Sequence, residues 1–404
     1  MIDHAPQTLK SGNIAVDERA LVKQSKVRLL FVIRSLDHGG AQRQLIALAK
    51  GLDKNRFSVS VMTFYDGGAL RSEIEGVDGI QVLSLQKRGR WDWLRCLRNF
   101  DRAIRELKPQ IVHGYLGTAN DLGLVARVRT GARVVWGLRG SHTDLSRYDW
   151  VFSWSHRVGA WLSRFADLII VNSHIGKADN IADGYAGERM LVIHNGIDTE
   201  RFRPNMVDRY VTRREWGIAD NEVLIGLVAR LDPMKNHSNF LRAAALLSKR
   251  RDDVRFVCIG NGPAAYKCEL ESLAGELGLC DRLHWIEARN DMMAVHDALD
   301  LATSASDCGE GFSNAIGEAM ACGTPCVVTD VGDSARIVGN PEQVVSPRDP
   351  QALAEAWQRI LDLEPAERAM LSQTSRERIV REFSLQQLVD KTEFALLRLV
   401  EGAG

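Results

Sequence analysis

The sequence predicts an α/β protein of two consecutive domains, each a parallel sheet covered by helices on both faces. Three observations predict it. The chain has 404 residues, enough for two cores of ordinary size. Short apolar runs alternate with helical stretches from Val27 to the turn before Pro204. The same alternation restarts at Val223, past the strand, turn and proline of residues 192–204.

Composition narrows the class. With 45% apolar and 26% charged residues, the chain has the makeup of a soluble globular protein. Its formal net charge is zero, so nucleic acid is not expected as a partner. Residues 1–200 carry 28 Lys+Arg against 21 Asp+Glu, and residues 201–404 carry 24 against 31, so a half of +7 joins a half of −7. The positive half is the one suited to an anionic surface or substrate. No apolar run reaches the ~20 residues of a membrane helix and no signal-peptide core is seen, so a cytoplasmic location is expected. The seven cysteines are an odd number without C-x-x-C pairs, which predicts reduced thiols rather than disulfides or a zinc site.

Residues 1–26 are polar and aperiodic and predict a mobile leader. VRLLFVIR, residues 27–34, suits a buried parallel strand. Gly39 and Gly40 then allow a tight turn before a helix from Ala41, a unit that can approach a phosphate but that also suits a plain turn. Further strands are expected at 58–64, 80–85, 111–113, 133–138 and 168–172. In the helix over 90–108, Leu94, Leu97, Phe100, Ile104 and Leu107 gather on one side, with Arg95, Arg98, Arg102 and Arg105 beside them. Lys87, Arg88, Arg90, Lys108, Trp91 and Trp93 crowd the same region. Such a face is either solvated or laid on an anionic membrane surface. His113, Arg139 and His142 follow strand ends, where open α/β sheets bind ligands. Trp150, Trp154 and Trp161, in a helical stretch, are expected to pack in a core or between domains.

In the second half, Arg230 and Lys235 follow the strand that opens at Val223, where two cations could take a diphosphate. VRFVCIGNGP, 254–263, is a strand ending in a glycine turn that contains Gly262, and Arg289 follows the next apolar stretch. The segment from Ser304 places Glu310 in a loop and Glu318 on a short helix that starts near Ser313 or Asn314 and ends at Gly323. A phosphate over the free N–H groups of Asn314 and Ala315 would leave both glutamates reaching for hydroxyls on either side. From spacing alone, they also fit a solvated helix residue and a loop charge. Residues 350–382 are expected to be helical, and a last helix spans 385–402.

EGFSNAIGEAMACGTPCVV resembles the E-x7-E signature of the retaining glycosyltransferases of family 4, whose usual form is E-G-F, then L-E-A-M-A-x-G-x-P-V-V. NGIDTERFRP is similar to that family's N-G-V-D-x-x-x-F-x-P through Asn195, Gly196, Asp198, Phe202 and Pro204. ARLDPMKN resembles its G-R-L-x-x-x-K-G, and the resemblance covers nearly the whole chain after residue 27. It implies the GT-B architecture, two Rossmann-like domains facing across a cleft. The implied parts are an acceptor-side domain over 27–204, a nucleotide-sugar domain over 205–384, and a helix over 385–404 crossing back to the first.

The implied reaction is transfer of a hexose from a nucleotide-sugar donor to a hydroxyl of a saccharide or lipid-linked saccharide acceptor, with retention, as in surface polysaccharide or glycolipid assembly. The implied catalytic set is Glu310, Arg230, Lys235 and His142. In it Arg230 and Lys235 hold the pyrophosphate and Glu310 the sugar hydroxyls, while Glu318 holds the ribose. Gly262 and Arg289 are expected beside the base; Gly39, Gly40, Asn195, Gly311, Phe312, Ser313 and Asn314 around the donor. Arg139 stands where the family has a histidine after the strand, with His142 three residues later, so either is placed beside the donor sugar. Gln42, Asp333 and Arg336 also depart from the family's Glu, Gly and Glu. No cofactor is implied and, with no Asp-x-Asp in the chain, no metal. The alternatives are a nucleotide-sugar epimerase or a catalytically silent sugar-binding protein on the same fold. A dinucleotide dehydrogenase would need the absent G-x-G-x-x-G.

Overall fold

The computed structural model describes residues 26–89, 91–139 and 150–402, with the side chains of 150–153 excepted. All of the expected leader but Lys26, together with Arg90 and His142, lies outside the described residues.

The first sheet comprises β1 (Val27–Ile33), β2 (Phe57–Thr63), β3 (Ile80–Ser84), β4 (Ile111–Tyr115), β5 (Arg133–Leu138), β6 (Leu168–Val171) and β7 (Met190–Val192). Its order is β3-β2-β1-β4-β5-β6-β7, with every pair parallel. Only Arg28 of β1 reaches the surface, because both faces of the strand are covered. The covering helices are α1 (Gly40–Gly51), α2 (Trp93–Leu107), α3 (Gly117–Thr130), α4 (Trp150–Leu162) and α5 (His174–Ala182).

The second sheet, ordered β10-β9-β8-β11-β12-β13, holds β8 (Val223–Val228), β9 (Val254–Ile259), β10 (Leu283–Ile286), β11 (Leu301–Ser304), β12 (Cys326–Thr329) and β13 (Val344–Val345). Around it lie α6 (Met206–Glu215), α7 (His237–Ser248), α8 (Ala264–Glu276), α9 (Met292–Ala298), α10 (Asn314–Ala321), α11 (Ser334–Val338), α12 (Pro350–Leu361) and α13 (Pro365–Glu382). Its core is organised by Trp357, whose ring lies 5.3 Å from Phe240 and whose Nε1 donates to Thr303 Oγ1 at 3.0 Å. In both sheets the strand order reverses beside the first strand, between β1 and β4 and between β8 and β11. Those switch points open a crevice at the strands' carboxyl ends.

The chain crosses between domains twice. The last helix, α14 (Leu385–Glu401), buries Leu388, Val389 and Leu396 in the first domain's core with Leu29 and Val59. At the crossings Ile197 N donates to Phe383 O at 2.8 Å and Leu385 N to Ile197 O at 2.7 Å, which zips the two connections together. Among the described residues no helix is long and apolar enough to cross a membrane.

Several sequence expectations change in detail. Residues 350–382 form two helices, since Pro365 cannot continue α12 and instead opens α13 behind a capping box of Glu364 and Glu367. The helix α2 turns Cys96, Phe100 and Ile104 to the core, leaving Leu94 84% exposed and Leu97 40% exposed. The sheet accepts the stripe through Phe100, and Leu94, roughly 120° around the helix from it, faces outward. Lys87 folds inward, donating to Gly89 O with its ammonium 4.5 Å from the Trp93 ring centre. Trp154 and Trp161 stand in solvent rather than in a core.

Candidate functional site

The crevice between the sheets holds a cavity of about 370 Å³. From the first domain Gly40, Arg139 and Asn195 line it. From the second come Arg230, Lys235, Glu310 and the run Gly311, Phe312, Ser313 and Asn314.

The second-domain wall is built by loops at adjacent strand ends. After β8, Asp232 caps a 3-10 turn over Pro233–Lys235 by accepting from Met234 N at 3.0 Å, and this turn presents Lys235. The Lys235 ammonium pairs with Glu310 Oε2, which also accepts from Ser306 Oγ at 3.2 Å. Glu310 is thus a buried carboxylate with fixed partners. Arg230 stands 76% exposed at the rim with Asp232 as its partner at 3.2 Å. Burial, with help from the Lys235 charge, holds His237 down to about 4, so that imidazole is neutral near pH 7 and adds no charge.

The helix α10 begins at the cavity. Its N-cap, Ser313, makes no side-chain bond to the first turn, so the early N–H groups stay free of a side-chain cap. An anion is favoured there by the helix dipole. Close backbone approach across the domains depends on glycine: a Cβ on Gly311 would meet Asn172 Oδ1 at 2.9 Å, and one on Gly40 would meet Asn314 Nδ2 at 3.1 Å.

The first-domain wall is a hydrogen-bonded relay. Arg139 donates to Tyr115 Oη at 2.9 Å and to Asn195 Oδ1 at 3.1 Å, and Asn195 Nδ2 donates to Asn314 Oδ1 at 2.9 Å. Beneath it His113 is wholly buried and packs on Phe31 and Tyr115, so it is not the cleft residue its strand-end position suggested. Burial, then the neighbouring Arg139 cation, keep His113 well below the ordinary imidazole range. Burial pushes the Tyr115 phenol up, so it holds its proton.

Four expected site residues stand elsewhere. Gly39 precedes the lining, and a Cβ there would meet the Gln42 side chain at 2.3 Å. Gly262 supports the site from behind, since a Cβ would come within 2.3 Å of Leu231 O in the loop between Arg230 and Lys235. Glu318 lies one turn along α10, outside the cavity lining, 3.5 Å from His296 Nε2. Arg289 is outside this cavity, paired with Glu215 and Asp291, both at 2.6 Å, beside another concavity. His142 lies outside the described residues. Sequence reasoning did not single out Asn172, Ser306 or Tyr115. Asn172 ends an apolar strand as Arg139 nearly does, a signal that could have found it.

Asp333 joins the walls. Its carboxylate, 3% exposed, accepts from His174 N at 2.8 Å, Ile175 N at 3.1 Å and His194 Nε2 at 3.0 Å, capping α5 of the other domain. Burial alone would raise its pKa, but the bonds from His194, His174 and Ile175 outweigh burial and hold it below the ordinary carboxylate value.

Residues 208–378 match the family described as Glycosyl transferases group 1, and residues 38–201 match Glycosyltransferase Family 4. EpsF of Bacillus subtilis (strain 168), named as a glycosyltransferase, is 28% identical over 326 residues, covering 76% of this chain and 80% of that protein. A D-inositol 3-phosphate glycosyltransferase of Corynebacterium urealyticum is 34% identical over 209 residues, 48% of this chain and 49% of that one. The chain thus spans about half the length of the relatives of that name. The crystal structure of Anabaena HepE in complex with UDP superposes with a TM-score of 0.80 at 24% identity, covering 92% of this chain and 99% of that one. Sucrose-phosphate synthase from Thermosynechococcus elongatus gives 0.77 at 20% identity, covering 94% and 100%. Two parallel-sheet domains facing across a cleft are the arrangement they share with this chain, the GT-B fold.

Proposed function

Since this chain belongs to the group 1 glycosyltransferases, we propose that it transfers a hexose from a nucleotide-sugar to a hydroxyl of a saccharide or lipid-linked saccharide, with retention and without a metal ion. The observation that carries this reading is the convergence of Lys235, Glu310 and the start of α10 on one cavity. HepE structures hold UDP or UDP-glucose, which supports a nucleotide-sugar as the donor.

When the donor arrives, its β-phosphate takes Lys235 and the first N–H groups of α10, and a sugar hydroxyl takes Glu310 in place of the ammonium. The bond from the anomeric carbon to the β-phosphate oxygen then breaks, with its electron pair leaving on the phosphate. The charge that grows there meets Lys235, Arg230 and the helix start, donors fixed before the reaction. The acceptor hydroxyl attacks from the side the phosphate leaves, and its proton passes to the departing phosphate oxygen. These cations and N–H groups supply the stabilisation that a metal gives elsewhere, and the chain has no Asp-x-Asp to hold one.

The acceptor side is proposed to rest on the inner face of a membrane. Trp91 is 85% exposed and Leu94 84%, beside the exposed Arg98, Arg102 and Arg105 on the outer face of α2, while Trp154 and Trp161 stand out from α4. Apolar groups flanked by cations suit a leaflet of anionic lipid, where each cation contributes about 1 kcal/mol. Arg105 contributes less because Asp101 already pairs with it at 2.6 Å.

Purified protein incubated with a panel of nucleotide-sugars tests the reading through nucleoside diphosphate release, with and without acceptor and in EDTA. Release from one donor, raised by acceptor and persisting in EDTA, is expected. Isomerised donor without an acceptor product would mean an epimerase, and binding without release a silent sugar-binding protein. Loss of activity in EDTA would remove the metal-free step.

A further inference from the structure

Beside the two chain crossings lies a second concavity of about 300 Å³, lined by His194, Arg336, Arg378, Arg381, Glu382 and Lys391 among others. Four fixed cations there face one carboxylate. Their hydrogen bonds show which charges are already used. Arg378 donates to the carbonyls of Ile337 and Arg336 and to Glu382, and Arg381 donates to Glu382 at 2.8 Å. The side chains of Arg336 and Lys391 are exposed and have no hydrogen-bond or ion-pair partner among the described residues. Two uncommitted cations, a half-committed Arg381 and an imidazole therefore share one small pocket.

The neighbouring cluster of His174, His194 and Asp333 brings three metal-ligating atoms within 4.8 Å of one another. A cation is the wrong occupant. Asp333 already accepts three bonds, and the charges of Arg336 and Lys177 both act on His174. An excess of positive charge around a concave wall selects an anion. Arginine forks and a lysine point charge suit phosphate oxygens in particular.

We propose that this pocket is a second ligand site, separate from the donor cleft, which takes a small phosphate-bearing anion at the hinge. The pieces that would hold it belong to different parts of the molecule. Arg336 lies on α11 of the second domain, Lys391 on the helix seated in the first domain, and His194 on the first crossing, bonded to Asp333. An anion held by all three ties the crossings together. It then favours whichever setting of the domains brings the three closest, so its binding energy biases cleft opening.

The test uses the full chain with inorganic pyrophosphate as the probe, followed by calorimetry at low salt. The wild type is expected to count two sites. Arg230→Ala with Lys235→Ala removes the cleft's phosphate contacts and leaves the hinge site, whose affinity should fall as chloride rises. Adding Arg336→Gln and Lys391→Gln should weaken the remaining site by about 10-fold or more, as two charge-assisted contacts are lost. Both residues are exposed, so thermal melting should show the fold intact. No binding in the cleft-neutralised chain, or binding that survives Arg336→Gln with Lys391→Gln, overturns the hinge site. Two sites persisting in the Arg230→Ala, Lys235→Ala chain would instead sink the cleft assignment, and the hinge variants would still decide the hinge.

Discussion

The two walls of the cleft are built on the same sheet topology and do different work. The second-domain wall concentrates charge: Lys235, Arg230 and the start of α10 come from loops at the ends of β8 and β11, adjacent strands of one sheet. The first-domain wall draws Gly40, Arg139, Asn172 and Asn195 from four separate strand ends, and its guanidinium is already committed to Tyr115 and Asn195. One wall can meet charge that develops during a reaction. The other can orient and space what lies between. Similar folds thus differ in what their loops present, two cations and a helix start on one wall and a bonded relay on the other.

Neutralising the charged wall should have the largest effect. Lys235→Ala or Arg230→Ala is expected to lower kcat/KM by about 10²-fold with the fold retained, because each is proposed to meet charge that grows in the transition state. Unchanged kcat/KM in both variants would falsify the phosphate assignment and erase the difference between the walls.

On the placing wall, Asn195→Ala breaks the relay from Arg139 to Asn314, and a loss of about 10-fold is expected, the scale of an orientation effect. Steady-state kinetics sharpens the contrast. Should Asn195→Ala cost as much as Lys235→Ala, placement and charge stabilisation would not be separable by wall. Glu318→Ala, on the helix behind the charged wall, should weaken binding of the free nucleoside diphosphate by a similar factor of about 10 if it holds the ribose, as removing a charge-assisted contact does. Equal nucleotide affinity by calorimetry would remove that role.

The joint between the walls carries a pH signature. Since Asp333 has a depressed pKa in the folded chain, its stabilisation is present above the ordinary carboxylate value and is lost as pH falls through the folded one. Asp333→Asn should cost about 1–2 kcal/mol near neutral pH, with the gap to wild type closing below about pH 4. Denaturant unfolding at several pH values measures it, and a gap that stays constant into acid would exclude the carboxylate as its source. The smallest effect concerns the outer face of α2. Arg95→Gln with Arg98→Gln and Arg102→Gln should weaken co-sedimentation with anionic vesicles several-fold, roughly the sum of partly screened surface charges. Wild-type protein that ignores such vesicles at low salt would end the membrane proposal and leave the transferase proposal standing.

The parts legible in the sequence are those set by local pattern. Both sheets follow from apolar runs, and the segment around Glu310 and Asn314 lies within one strand–loop–helix unit, so its residues meet wherever that unit goes. What escaped depends on distant packing. Asp333 finds its partners at His174 and His194, about 140 to 160 positions earlier, and no spacing rule spans such a gap. Arg289 is paired with Glu215, 74 positions before it. The face of α2 could be drawn as a wheel, but which stripe meets the sheet is decided by the sheet, and Leu94 was left outside. Lys87 turned inward because a ring and a carbonyl were there to receive it.

Because Leu388, Val389 and Leu396 of α14 fill the core beneath β1 and β2, the first domain is completed by a helix that follows the second domain in sequence. On the ribosome, synthesis runs from the N-terminus, and domains ordinarily fold in the order they emerge. Here the order is inverted. The second sheet, whose strands all lie between Val223 and Val345, can close while the nascent first sheet still shows an uncovered apolar face. The domain made first therefore keeps an apolar face uncovered until α14 has left the exit tunnel and docks.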